Sequence, residues 1–544
     1  MKKKIYIKDW LELKPYESHK PTDTYYLKIA NDLKSIFMDM DLLAFRLYLD
    51  DAEINMLCCF LVSYFEDVVS GTNIFDTFRK EHKMLNEKPL PFYTTRTYYE
   101  DEINQADVTF LSWYFLNTVQ QRDFALPHHK VFPAFAEKVM EIFDREYEYA
   151  PENEALKPYY RVDENETDYY KIRSIVETIL LGTYLFYSDT ALDLISEEEE
   201  IFEAKKNDKH LLPFLQENRD TFYFKTRTRL LALSGKEWVA GIVGKEHPLS
   251  SDIRSISQRI SGFFLYKGQN AKKIHLEHIA SGKKFELNKA SFDHHTALNE
   301  IDTILFMGIV RWQDQWWFSG IFYLQDFNAD LILDEKNSVP SRRQVAFLDF
   351  ERQETAEILK KQKRAFLGFN KGSHIAFMKT EQLENFITGY NTFYIESLGL
   401  NDQEIQDAQK RSKKEGFLKD QTKLDFDFSK DFEVAIVFFN PKSGIEMAFN
   451  CNSAFPASNN PYFNPEESDE DVYYILTSEE ISKELADYCL DNFKDKLTFF
   501  KNSTNQKLLK DVDFLLRFWK RHNYHTEPQI ALTGLEEQEQ EQEQ

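Results

Sequence analysis

Asp425-Phe426-Asp427 sets two carboxylates two residues apart, with Asp431 close behind. Residues i and i+2 of a strand share a face, so the pair has the spacing with which a magnesium-dependent hydrolase would hold a hard cation. The plainer reading is an acidic edge strand whose alternate phenylalanines face the core. Asp293-His294-His295, preceded by His275 and His278, gathers imidazoles of the kind a transition metal takes as ligands. Adjacent strand residues point to opposite sides, so His294 and His295 cannot both reach one ion from a regular strand, and no metal is expected there. His128 and His129 follow Pro127 at a helix start, where a solvated turn is the ordinary explanation.

The strong catalytic signatures are missing. Gly241-Ile242-Val243-Gly244-Lys245-Glu246 comes nearest to a phosphate-binding loop, but it is too short and ends in a residue that cannot place a hydroxyl on magnesium. Neither G-x-S-x-G nor H-E-x-x-H occurs, so an enzyme is not favoured and no cofactor is expected. Two basic groups stand out: Lys360, Lys361, Lys363 and Arg364, then Lys410, Arg411, Lys413 and Lys414. Beside a small barrel with exposed aromatics they would form a track for nucleic acid, since bases stack on rings and phosphates seek cations. The balance of 67 Lys and Arg against 91 Asp and Glu, a formal charge of −24, opposes this unless the basic residues gather on one face.

Trp312, Trp316 and Trp317 crowd the run DTILFMGIVRWQDQWWFSGIFYL. A three-residue loop Gln313–Gln315 would pair Trp312 with Trp316, Val310 with Phe318 and Gly308 with Gly320 on one apolar face. It would also lay Trp317 across Arg311 as a cation–π contact at the exposed end. Arg311 and Trp317 are therefore candidate partner contacts, together with Lys410, Arg411, Lys413 and Lys414.

These residues sit in a chain of 544, too long for one ordinary core, with 47 Phe and 28 Tyr against only 17 Gly. Four cysteines are too few to staple it, and Cys58-Cys59 lie in an apolar run, which points to a reducing compartment. The longest apolar runs, Met56 to Phe65 and Thr178 to Tyr187, fall short of the ~20 residues that span a bilayer. A cytoplasmic location with no membrane association is expected. Helical stripes mark residues 1–225, for example Phe132, Phe135, Ala136, Val139 and Ile142. Between 226 and 348 five short strand candidates follow one another: Phe263–Lys267, Lys273–Ile279, Lys284–Leu287, Ile304–Trp312 and Trp316–Leu324. Beyond Pro340 the pattern is mixed. A hairpin turns at Asn440–Gly444, a capping box at Thr477–Glu480 opens a helix, and Leu508, Val512, Leu515, Leu516 and Trp519 stripe a terminal helix. Residues 535–544 are a low-complexity tail.

Several segments, KDWLELKPY, PTDTYYLKIAN, DVTFLSWYF, EYEYAPENEAL, FFNPKSGIEM and NNPYF, together resemble an uncharacterised bacterial family catalogued as a domain of unknown function. The resemblance implies a shared architecture and no chemistry. The run from Gly262 to Leu324, with IHLEHIASGKKFEL inside it, resembles the small barrel that accompanies SEC-C motifs. This chain lacks the clustered cysteines of those proteins, so zinc binding is not carried over. The expectation is a multidomain α+β protein, with a helical domain at 1–225, a small antiparallel β-barrel at 226–348 and an α+β domain at 349–534. In function it is expected to be a non-enzymatic binding or scaffold protein with a protein partner. RNA or ribosome association is the alternative, and a metal-dependent hydrolase the further one.

Overall fold

The computed structural model describes residues 4–37, 43–93, 98–100, 102–120, 124–348, 352–400, 403–404, 406, 418–419, 432–526 and 532–533. The chain makes two compact units, one of residues 1–258, 311–314 and 510–521, the other of 259–310, 315–509 and 522–544.

The first unit is helical. Its helix Asp51–Ser70 starts at a capping box: the Asp50 carboxylate accepts from the N–H groups of Ala52 and Glu53 at 2.7 and 2.8 Å, and Glu53 accepts from the Asp50 N–H. Gly71 ends it in the left-handed region at φ 61°. The apolar run Leu57–Phe65 is buried within it. Helix Gln105–Val119 is buried from Ala106 to Thr118, on every side, which makes it the centre of the unit. Residues 510–521 complete this core. Helix Val512–Trp519 brings Phe514 to 5.9 Å from Phe110 and Phe518 to 5.3 Å from Trp113. Arg521 closes the segment by ion pairs to Asp189 and Asp193. The stripe Phe132, Phe135, Ala136, Val139 and Ile142 is buried on helix Val131–Glu146, while Glu197 to Glu200 lie on helix Leu192–Lys205, largely exposed. No single described helix is long and apolar enough to cross a membrane.

A closed barrel, in the second unit except for the last two residues of β4, is made of β1 (Ile260–Gln269), β2 (Lys273–His278), β3 (Lys284–Asn288), β4 (Ile304–Trp312) and β5 (Gln315–Gln325), in the order β1-β2-β3-β5-β4. Where registers are given, neighbours are antiparallel except β3 and β5, which run parallel. A bulge between Tyr266 and Gly268 bends β1 so that it can pair with both β2 and β4. Phe264, Leu276, Phe285, Leu287, Met307 and Ile309 fill the interior. The rest of the unit includes a three-stranded antiparallel sheet with Val434–Asn440 between Ile375–Lys379 and Gly444–Phe449. Phe366 and Tyr390, from helices Arg352–Phe369 and Leu383–Ser397, pack on its face with Val437 and Phe439.

Two expectations need correction. The β4–β5 loop has two residues, Gln313 and Asp314, both at positive φ (46° and 58°), the mirror-image turn whose twist matches a hairpin. One residue fewer in the loop shifts the register by one, so Trp312 and Trp316 do not share a face. Trp316 then points inward, 4.9 Å from Phe285, while Trp312 is buried on the opposite face. In place of an opposed Gly320, Gly308 meets the Ser319 carbonyl and the Arg259 guanidinium, which occupy the space of a Cβ. The second correction concerns Thr477–Glu480. Thr477 ends helix Ser468–Thr477, and the next helix, Lys483–Phe493, is capped by Ser482, whose hydroxyl accepts from the Leu485 N–H at 3.1 Å. Glu446 anchors Ser482 by accepting from its N–H at 2.9 Å, a tertiary bond that sequence spacing does not reveal.

Candidate nucleic-acid interface

The order β2-β3-β5 sets three outer strand faces side by side. Along β2, Ile274 and Leu276 point into the core while Lys273, His275 and Glu277 point out; on β3, Phe285 and Leu287 point in while Lys284, Glu286 and Asn288 point out. Lys273 pairs with Asn288, His275 with Glu286 and Glu277 with Lys284. The parallel register of Leu287 with Trp316 then puts Asn288 beside Trp317 on the outside. One row across the face thus reads Lys273, Asn288, Trp317. Asn288 donates through Nδ2 to Gln315 Oε1 at 3.1 Å, which ties β3 to the start of β5. Trp317 is half-buried.

More cations gather at one end of this row. In the β1–β2 loop the Asn270 carboxamide oxygen accepts from the N–H groups of Lys272 and Lys273, each at 2.8 Å, an Asx turn that fixes the lysine pair. Lys289 donates through its N–H to the Lys272 carbonyl at 2.9 Å and through Nζ to the Asn270 carbonyl at 3.2 Å. Three ammonium groups therefore share the loop, and among the described residues neither Lys272, Lys273 nor Lys284 makes an ion pair. The two acidic residues of the face stand opposite cationic or titratable partners, Glu286 across from His275 at 3.8 Å and Glu277 across from Lys284. The cations of this face are spread over two strands and two turns, so no dense run of Lys and Arg marks it in the sequence. The signal was nevertheless present: residues 259–289 hold seven Lys and Arg against two Glu in a chain of net charge −24.

The expected sites fare differently. Arg311 is half-exposed and pairs with Asp314 at 2.5 Å, and its backbone exchanges hydrogen bonds with Ser257 at 2.8 and 3.1 Å, so the cation–π contact with Trp317 gives way to an ion pair. Lys410, Arg411, Lys413 and Lys414, and Asp425, Asp427 and Asp431, lie outside the described residues. Lys360, Lys361 and Arg364 are exposed on helix Arg352–Phe369.

The histidines do not assemble. His294 and His295 sit in a short 3-10 turn, not in a strand; His294 packs against Phe322 at 4.5 Å, and a ring nitrogen of His295 lies 3.0 Å from the Phe292 carbonyl. His278 is fully buried against Phe264, 2.9 Å from the Ser281 hydroxyl, and burial pulls its pKa down to about 4. Among the described residues no group of three or more His, Cys, Asp or Glu is placed to hold a metal ion.

The buried acids of the helical unit are engaged internally. Asp107 accepts from the Tyr64 and Tyr98 hydroxyls at 2.7 and 2.5 Å, with burial lifting its pKa to about 6. Glu66 is paired with Lys14 and accepts from Asn153 at 2.8 Å. A carboxylate so engaged is held as structure, since buried charges need partners.

No curated protein and no solved structure matches the chain, and the likeness of the barrel to those that accompany SEC-C motifs gains no support. The model of one family matches residues 4–299, more than half of the chain, and the chain belongs to that family, described as "Protein of unknown function (DUF3843)".

Proposed function

We propose that this is a non-enzymatic binding protein of the cytoplasm that takes single-stranded RNA on the outer β2–β3–β5 face of its barrel. The row Lys273–Asn288–Trp317, with Lys272 and Lys289 at its edge, carries the reading. A single strand offers phosphates to the lysines, a base face to the indole and base edges to the carboxamide. The acidic remainder of the chain does not cancel this, because charges more than a Debye length away, roughly 8 to 10 Å at physiological salt, are largely screened. The strand order, with β3 parallel to β5, is also the wiring of the OB fold, whose strands 2 and 3 and neighbouring loops hold oligonucleotides or oligosaccharides in other proteins. That likeness is an analogy of fold, and it is the lysines that favour the phosphate-bearing ligand.

The test is fluorescence anisotropy of a labelled oligouridine of about ten nucleotides, near the size an OB fold covers. Trp317→Ala is expected to weaken binding by about 1–3 kcal/mol, the usual worth of one stacked base. Wild-type protein that leaves the anisotropy unchanged at low salt contradicts the proposal. One observation favours a protein partner as a second reading: Ile195, Phe202 and Leu212 are 43, 49 and 76% exposed on helices Leu192–Lys205 and Leu211–Lys225. Replacing Phe202 and Leu212 by Glu would then abolish whatever association sedimentation detects, and unchanged sedimentation argues against it.

A further inference from the structure

The geometry points to a second binding site, for a small neutral planar molecule, in the helical unit. A cavity of about 450 Å³ opens between Phe92, Tyr93, Ala106, Thr109, Pro127 and His128. That volume falls in the range of small-molecule pockets, and its lining is mostly ring and methyl surface, as such pockets require. Gln105, Ala106 and Thr109 form one wall from the first turns of helix Gln105–Val119, where residues i and i+4 share a face.

The facing wall is built on a backbone conformation an aromatic residue seldom takes. Phe92 has φ 61°, and the Tyr93 N–H donates to the Pro91 carbonyl at 2.6 Å, a three-residue γ-turn of the rare and strained hand. Two contacts hold it there. The buried Asp511 carboxylate accepts from the Phe92 N–H at 3.1 Å while paired with Lys88, and the Tyr93 hydroxyl donates to the Pro127 carbonyl at 2.6 Å, joining two walls. The turn sets the Phe92 ring edge-on to Trp113 at 4.9 Å and to His128 at 6.2 Å. Strain of this kind persists only where the surroundings over-determine it, and it gathers at ligand sites.

The lining also selects the ligand. Among the described residues it contains no Lys, Arg, Asp or Glu, so a charged molecule would lose its hydration there without a fixed counter-charge. Among its polar groups the buried Thr109 hydroxyl is taken up by the Gln105 carbonyl, to which it donates at 2.7 Å. Gln105 is exposed at the lip, donating to the Pro133 carbonyl at 3.3 Å, and the Tyr93 oxygen, already donating, keeps lone pairs to accept with. A flat ring bearing an amide-like edge matches this set, the ring against aromatic and proline surfaces and the N–H toward Tyr93.

Benzamide is the probe, with ligand-observed saturation-transfer NMR on the full chain as the readout. Saturable binding is expected, weakened at least about tenfold by Ala106→Trp, which fills the cavity, and by Gln105→Trp, which caps it at an exposed position. Trp317→Ala on the barrel is expected to leave it unchanged, which separates this site from the RNA face. If Ala106→Trp does not fold, Gln105→Trp decides. Absence of saturable binding by the wild type, or binding undiminished in Gln105→Trp, overturns the proposal.

Discussion

His82 and His278 are buried, one beneath the Phe78 and Phe514 rings of the helical unit and one inside the barrel against Phe264. Burial drives both pKa values from 6.5 down to about 4. The unfolded chain therefore takes up these protons near pH 6.5 and the folded chain only near pH 4. The stabilising contribution is complete above pH 6.5 and is lost as pH falls through that window. Asp107, lifted from 3.8 to about 6, acts in the opposite sense below pH 6. The histidine share is thus read from a difference: chemical denaturation of His82→Gln and of His278→Gln should each show a shallower fall in stability between pH 6.5 and 4 than wild type. Equal slopes would mean that these imidazoles are charged or solvated in the fold. At this scale the sequence showed which residues could do chemistry but not where they point. His278 was a metal candidate until burial and the Ser281 hydroxyl explained it, and Trp317 is half-buried on the outer face while Arg311 pairs with Asp314.

Among the elements, strands and helices with a strong period were readable, and their closures were not. All five barrel strands fall within a few residues of their expected limits, because alternation of buried and exposed side chains is a local property. The hairpin register depended on one residue of loop length. Gln313-Asp314 lacks the glycine that usually announces a mirror-image turn, so the two-residue loop was hidden. The corrected packing makes Gly308→Ala a sharp test. A methyl there meets the Ser319 carbonyl and the Arg259 guanidinium, and thermal melting should report a loss of about 1–3 kcal/mol, as for an overpacked core. An unchanged midpoint would refute the close approach. In the helical unit, Phe514→Ala should cost about 3–5 kcal/mol in the unfolding transition of that unit, because its ring lies within 6.4 Å of Phe78, Phe92, Phe110 and Trp113. Leu212→Ala, at an exposed position, should shift that transition by less than about 0.5 kcal/mol.

For the whole molecule, chain length and hydrophobic periodicity foretold a multidomain α+β chain with a helical part, a central barrel and a mixed remainder. The return of residues 510–521 to the helical unit joins segments hundreds of positions apart, and no local pattern announces such a pairing. Net charge hides local sign in a similar way. Averaged over 544 residues it argued against nucleic acid, whereas the barrel segment 259–289 carries an excess of five positive charges. The central claim, that this face neutralises phosphates, is tested most directly by the salt dependence of oligouridine binding. Each phosphate contact on a single strand contributes about −0.7 to the slope of log K against log salt. Replacing both Lys272 and Lys273 by Glu is predicted to flatten that slope by about 1.4 or more while the fold melts as before; an unchanged slope, or no binding by the wild type, contradicts the account.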